Sequence, residues 1–502
     1  QQPQEPKKKK LKTVDFYLNF EVDDNLIVLE GLGKRPKGNM LYLLRELRSP
    51  RYDNYRVAFS VTEDSIEVSK AIIDREGFTD VELVIAGSDE YKQALFTAGY
   101  LFNEVDFPNW WIKKPRQTYV NIWHGTPLKA LAKAKTGIVH NDANGSRNFT
   151  MSDYLLLPNY FTKKHLLKDY DVDRLVSGKA LMLGYPRTGQ LFDEATRGQV
   201  RKTLEIDSSR IIAWMPTHRE WFGPEAVTAF LDDMDAGLKD GDLLYVNLHH
   251  KTNSKIDLSG YRHIRRFPDS FDIYEFLCAA DMLITDYSSI MFDFAVTHRK
   301  IVLYCPDLSL YESDRGTYFS VHDLPFAVAE SPAGLLRALE TDSEDYSSFN
   351  REFNAFDSRD NARLLCEAVL EGKMDDIVTE ELTPERISFL ISDGLRPNEA
   401  TDLLYELNEQ GWPQDAFLSF LEQEVDAGPN RAYPLTRNVP IFATKGNQLS
   451  ERTEQQRLYG DLLVRQVIVL DTESNTRIKT FARFDVPTYL FINRSIAERI
   501  TA

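Results

Sequence analysis

Short apolar runs alternate with amphipathic stretches along the first part of the chain. The runs are Leu26–Glu30 (LIVLE), Arg56–Val61 (RVAFSV), Val81–Ala86 (VELVIA), Thr118–Trp123 (TYVNIW), Tyr154–Pro158 (YLLLP) and Ala180–Gly184 (ALMLG). Between them, segments such as Asn39–Leu47 and Glu63–Glu76 space their apolar residues at helical intervals. The runs are continuous rather than alternating, which predicts strands buried on both faces, hence a parallel sheet covered by helices. A second series repeats the pattern at Arg210–Met215, Leu243–Leu248, Met282–Thr285 and Ile301–Tyr304. The pattern then changes. Thr383-Pro384-Glu385 predicts a helix start, with Thr383 as N-cap and Pro384 in the first turn. Helical spacing continues to Val425, broken at Gly394 and at Gly411-Trp412-Pro413. Strands are expected at Leu462–Leu470, Arg477–Phe484 and Thr488–Ile492.

These elements divide the chain into a basic, disordered leader over 1–13, two Rossmann-type domains over 14–195 and 196–374, and an α+β appendage of unknown role over 375–502. The expected class is α/β. Two such domains facing one another across a cleft form the architecture of GT-B nucleotide-sugar transferases. In sheets of this kind, ligands bind beyond the carboxyl ends of the strands.

The chain has 502 residues, with 60 Lys+Arg against 77 Asp+Glu and a formal charge of −17. That balance argues against a nucleic-acid partner, because a broad phosphate-binding surface would be electrostatically repelled. A hydrophobic fraction of 42% supplies real cores and excludes wholesale disorder. Three widely spaced cysteines, Cys278, Cys305 and Cys366, make neither a disulfide framework nor a four-thiolate zinc site, and fit a reducing cytoplasm. No run approaches the ~20 apolar residues of a membrane span. The leader, QQPQEPKKKKLK, lacks the apolar core of a signal peptide. It reads as a solvated tail or, through Lys7–Lys10 and Lys12, as a contact to anionic lipid. Trp110-Trp111, ahead of Lys113-Lys114, is expected to pack internally rather than enter a membrane interface.

Candidate chemistry concentrates at strand ends. In Asn121–Lys129 (NIWHGTPLK), His124 stands at a strand-to-loop corner where Gly125 permits close backbone approach and Pro127 can open a helix. Its imidazole suits general base work; a histidine held by core hydrogen bonds is the competing reading. In Asp281–Ala295 (DMLITDYSSIMFDFA), a buried strand ends at Thr285-Asp286, and Ser288 and Ser289 open a helix. Hydroxyls and free amides there can cradle a phosphate, although capping uses the same geometry. Asp293 reads as a structural hydrogen-bond partner. Arg219, closing Pro216–Arg219 (PTHR), offers a planar fork for phosphate oxygens, and His249 follows the next strand. Arg187, closing Gly184–Arg187 (GYPR), is either a cleft residue or a surface ion pair. No metal is expected: His218, His249 and His250 lack zinc-site spacing, and adjacent strand residues point to opposite faces. P-loop, HExxH and Gly-x-Ser-x-Gly patterns are missing from the sequence.

Taken in order, WHGTPLK (Trp123–Lys129), GYPR, PTHR, Leu248-His249 and ITDYSSIMFDFA (Ile284–Ala295) resemble the CDP-glycerol glycerophosphotransferase family of teichoic-acid and capsule polymerases. The likeness extends through YCPDLSLY (Tyr304–Tyr311) and RGTYF (Arg315–Phe319) and covers roughly residues 20–370. It implies transfer of a polyol phosphate from a CDP-activated donor to an acceptor hydroxyl, forming a phosphodiester and releasing CMP. By the same resemblance His124 is the base. Arg219, His249, Ser288 and Ser289 hold the donor pyrophosphate, with Thr285 and Asp286 in the same motif; Gly125, Thr126 and Arg187 complete the substrate site. The usual histidine-proline pair is His249-His250 here, and His249 is favoured for the donor role. The implied partners are the CDP-polyol and a lipid-linked or polymeric acceptor at the inner membrane face, with no cofactor. The polyol, the acceptor and the oligomeric state stay open. Competing functions are a GT-B glycosyltransferase and an inactive scaffold.

Overall fold

The computed structural model describes residues 11–135, 143–206, 209–219, 222–248, 255–392, 406, 408–412, 416–420, 464–469 and 488–490. Two sheets organise it. The first contains β1 (Asp23–Glu30), β2 (Arg56–Val61), β3 (Val81–Ile85), β4 (Ala98–Asn103), β5 (Thr118–Asn121), β6 (Tyr154–Leu157) and β7 (Gly178–Met182). The second contains β8 (Arg210–Trp214), β9 (Asp242–Val246), β10 (Ile264–Arg266), β11 (Met282–Thr285), β12 (Lys300–Tyr304) and β13 (Ala327–Ala329). A late strand, β14 (Val378–Leu382), returns to the first sheet and pairs antiparallel with β7. Every other pair in the two sheets is parallel.

The strand orders are β14-β7-β6-β5-β4-β1-β2-β3 and β10-β9-β8-β11-β12-β13. Each therefore reverses direction once, between β1 and β4 in the first sheet and between β8 and β11 in the second. Such a reversal opens a crevice beyond the strand ends, because the helices on either side leave to opposite faces. The apolar runs explain the burial. Ile27, Val28 and Leu29 of β1 are wholly buried, and the helix Asn39–Leu47 buries Met40, Leu43, Leu44 and Leu47 against that sheet.

The chain passes between the sheets twice. The outward crossing follows β7 through Tyr185 to Phe192, and the return crossing runs from the helix Ser347–Phe353 to the helix Asn361–Glu371. The crossings lie side by side: Gly184 N donates to Phe356 O at 3.1 Å, and Asn361 Nδ2 donates to Tyr185 O at 2.9 Å. Leu365, Cys366 and Val369 of the helix Asn361–Glu371 join the first core. The return to the first sheet thus begins before the boundary expected at 374/375.

The structure adds four strands to these two sheets that the apolar pattern did not reveal, β4, β10, β13 and β14. It also corrects the C-terminal reading. Where a helix was expected from Pro384, Ile387–Ser392 forms β15 and Ala416–Phe420 forms β16. With β17 (Val464–Val469) and β18 (Thr488–Leu490) they make a parallel sheet ordered β16-β15-β17-β18. Pairing partners decide the state of a short apolar run such as ISFLIS, which its own spacing does not. The expected strand at Arg477–Phe484 lies outside the described residues.

Trp111 is fully buried and its indole donates to Leu95 O at 3.2 Å, while Trp110 packs edge-on to Tyr91. The three cysteines are buried free thiols. Among the described residues, no helix is long and apolar enough to cross a membrane.

Candidate active site

Among the described residues, those singled out by sequence fall at the carboxyl ends of both sheets. His124 follows β5. The backbone reaches it through Trp123 at φ 52° and leaves through Gly125 at φ 157°, and Trp123 N is held by Asn121 Oδ1 at 3.0 Å. This forced corner stacks the indole of Trp123 on the imidazole, centroids 4.1 Å apart. His124 Nδ1 lies 3.0 Å from the carbonyl oxygen of Glu104, which can only accept. The Nδ1 proton is therefore fixed, and Nε2 carries the lone pair. Nε2 meets no partner among the described residues. Burial pushes the imidazole down to about 4; the bond to Glu104 opposes this, and the Arg187 charge adds to it.

Glu104, at the end of β4, was not anticipated. Its carboxylate accepts from Leu32 N at 2.7 Å, and burial raises its pKa. The signal was hidden because the helical spacing of Asp89–Thr97 runs into β4 without an intervening turn.

Gly125 touches the second sheet's motif directly. A Cβ placed there would lie 2.6 Å from Ser289 Oγ and 3.6 Å from Arg187 Nη2. The corner of the first unit and the helix start of the second therefore adjoin. Arg187 is one reason. It donates from Nη1 to His124 O at 3.0 Å and from Nε to Asp293 Oδ2 at 3.0 Å. Both side chains are buried, and Tyr274 also donates to Asp293. Asp293 holds the guanidinium charged against the cost of burial. Arg187 is thus a buried cross-unit clamp bonded to the carbonyl of His124, not a surface ion pair.

At the β8/β11 reversal, Asp286 accepts from Thr217 N at 2.9 Å and from Tyr287 N at 2.6 Å, and pairs with Arg219. Arg219 Nε lies 2.6 Å from Asp307 Oδ2. The open fork expected of Arg219 is instead a buried guanidinium between two carboxylates. Burial works against its charge, and Asp286 and Asp307 more than offset that. Asp307 is a second residue that motif reading left without a role. Thr285 Oγ1 donates to Met215 O at 2.7 Å, and Thr126 Oγ1 accepts from Asn159 at 2.9 Å; both are buried supports. Ser288 and Ser289 keep partial exposure, and their hydroxyls do not cap the short helix Ile290–Phe294 in the usual way. His249 and His250 lie outside the described residues.

A second set of contacts joins the units behind His124. Ala130 N donates to Gly316 O and Tyr318 N to Leu128 O, at 3.1 and 2.9 Å, and Lys129 bridges to Thr317. The segment after His124 is thereby pinned to the loop carrying Thr317 and Tyr318. On either side of the seam lie the partly buried imidazole of His124, its Nε2 without a partner among the described residues, and the partly exposed Ser288 and Ser289 at the sheet reversal.

The sequence profile of CDP-Glycerol:Poly(glycerophosphate) glycerophosphotransferases matches residues 12–371. A teichoic acid poly(glycerol phosphate) polymerase of Staphylococcus epidermidis is 27% identical over 70% of this chain. The chain spans about half of that relative's length (51%). A protein of the same description from Bacillus spizizenii is 26% identical over 68% of this chain and 95% of its own length. Among solved structures, the wall teichoic acid polymerase TagF soaked with CDPG superposes with a TM-score of 0.59 at 25% identity, over 70% of this chain and 90% of that one.

Proposed function

Because the chain belongs to the CDP-glycerol:poly(glycerophosphate) glycerophosphotransferase family, we propose that it moves a polyol phosphate from a CDP-activated donor to an acceptor hydroxyl. The O–P bond to the acceptor forms as the bond between the two donor phosphates breaks, and CMP leaves. Glycerol phosphate is the first donor to test, since the relatives described above carry poly(glycerol phosphate) in their names; ribitol phosphate is the second.

The observation that carries this reading is the fixed tautomer of His124 beside Ser289. With Nδ1–H committed to Glu104 O, Nε2 takes the acceptor's proton as its oxygen attacks phosphorus. Burial keeps the imidazole unprotonated and ready. Ser288, Ser289 and the backbone at the β8/β11 reversal receive the donor's pyrophosphate, the place where open α/β sheets bind such groups. Arg219 acts through Asp286 and Asp307, holding that turn in shape and lending positive charge from behind. His249 is assigned to the same phosphates on its motif position alone. Positioning and charge stabilisation supply the rate, as phosphoryl transfer needs little covalent help from the protein. Membrane association, through a lipid-linked acceptor and the basic Lys7–Lys10 stretch, belongs to the same proposal.

The test is CMP release from CDP-glycerol and from CDP-ribitol, with mass spectrometry of the products. Wild-type protein is expected to release CMP with one of them and to lengthen an acceptor. Silence with both donors and a broad acceptor panel sinks the reading.

A further inference from the structure

The β8/β11 reversal is accounted for by the donor; the β1/β4 reversal of the first sheet has no assigned ligand. It is spanned by the loop Gly31–Gly38 (GLGKRPKG), between β1 and the helix Asn39–Leu47. The loop is a built structure. Lys34 N bonds Gly31 O at 2.9 Å, and Gly33, Lys34 and Gly38 have positive φ. Its start is tied to Glu104, whose carboxylate accepts from Leu32 N. Its end reaches the second unit, where Gly38 N donates weakly to Asp272 Oδ2 at 3.5 Å and Tyr42 donates to Asp272 Oδ1 at 2.9 Å. Both neighbours of His124 therefore bound this loop: Glu104 accepts from the imidazole, and the Arg187 side chain lies 3.9 Å from where a Gly38 Cβ would stand.

The loop carries three cations with different roles. Lys34 is spent on the buried Glu30, at 2.5 Å, with its own side chain partly exposed. Arg35 is exposed, and Lys37 is partly buried; neither makes an ion pair or hydrogen bond among the described residues. Burial and then the Arg35 charge work against the Lys37 ammonium, and the carboxylates of Glu104 and Asp272 support it without touching it. Two like charges held on a rigid turn, beside the base and short of a contact partner, suit an anion shared between them.

The anion follows from the reaction, so this inference rests on the proposed function. Each transfer leaves a phosphodiester next to the new terminal hydroxyl. β1 is two strands from β5 in the sheet order, so at ~4.8 Å per strand the loop sits roughly 10 Å from the His124 corner. We infer that Arg35 and Lys37 are the groups that grip the acceptor's phosphodiester, so that removing either charge weakens binding of a phosphate-bearing acceptor and leaves a neutral one unaffected.

The experiment compares two acceptors, glycerol and a synthetic glycerol-phosphate trimer, with CDP-glycerol as donor. For Lys37→Gln and Arg35→Gln, KM for the trimer is expected to rise about five- to tenfold, with KM for glycerol and the affinity for CDP-glycerol unmoved. Lys37→Arg is expected to retain the wild-type trimer KM, and added salt to raise that KM. An equal rise for both acceptors, or no rise for either, overturns the inference while leaving the transfer reaction intact. Absence of CMP release by wild-type protein overturns the functional reading and this inference with it. Arg35 is exposed, so its variant keeps the test decisive should Lys37→Gln fold poorly.

Discussion

His124 is held neutral far below the usual histidine range, because burial and Arg187 outweigh its bond to Glu104. Its charge state should therefore not limit the reaction near neutrality. The acid limb of kcat/KM is expected to lie well under pH 6, toward pH 4; a midpoint near 6.5 in a pH-rate series would remove His124 as the titrating base. His124→Ala should lower transfer by at least about 100-fold, with calorimetric CDP-glycerol affinity retained. Arg219 calls for a different expectation. Removing it takes the counter-charge from the buried Asp286 carboxylate and from the partly buried Asp307, at a cost of roughly 3–5 kcal/mol. Arg219→Ala should therefore lower the melting temperature as well as donor affinity. Adding Asp307→Asn should recover part of the stability, measured by calorimetric unfolding. An unchanged melting temperature would show that the guanidinium is not the buried counter-charge described above.

Among the elements, the β5 corner meets the β11 helix start through a glycine with no room for a side chain. Gly125→Ala puts a Cβ 2.6 Å from Ser289 Oγ, and turnover is expected to fall at least about tenfold as the corner is pushed away. Ser289→Gly in the same chain removes the obstruction. Turnover above that of either single variant would show that the steric conflict, rather than backbone strain, is responsible. Such contacts explain what the sequence disclosed. The apolar runs of β1, β2 and β11 are buried on both faces, so their composition alone announces them. β4 continues a helical pattern without a break, β10 and β13 are three residues each, and ISFLIS of β15 follows a plausible helix start; none of these has a local signature. The motifs located His124, Ser288 and Ser289 because strand-end chemistry is local. Glu104, Asp307 and the closed fork of Arg219 depend on partners far away in sequence, and no spacing rule encodes them.

For the whole molecule, the seam between the units is a charged one. Arg187 and Asp293 pair across it, both buried, so Arg187→Ala is expected to cost about 3–5 kcal/mol and to loosen the His124 corner from Ser289. Asp357 lies in the return crossing, bonded to Thr188 and Asn361. Burial pushes its carboxyl up to about 7. The folded chain thus keeps a proton that the unfolded chain has released by pH ~4. Stability from this group is present in acid, declines as pH rises from about 4 to 7, and stays low above that. Asp357→Asn, which preserves the shape without the charge, should flatten that decline and raise the melting temperature at pH 8. A melting curve series indistinguishable from wild type would refute the assignment.

The paired crossings have a consequence for how the chain can be cut. A protease nick between Tyr185 and Phe192 would leave the second fragment still owning the helix Asn361–Glu371 and β14, both embedded in the first fragment's core and sheet. Such halves are expected to co-migrate on size exclusion after cleavage and to part only in denaturant. The two pieces of such a cut chain would each carry part of the means of their own reassembly.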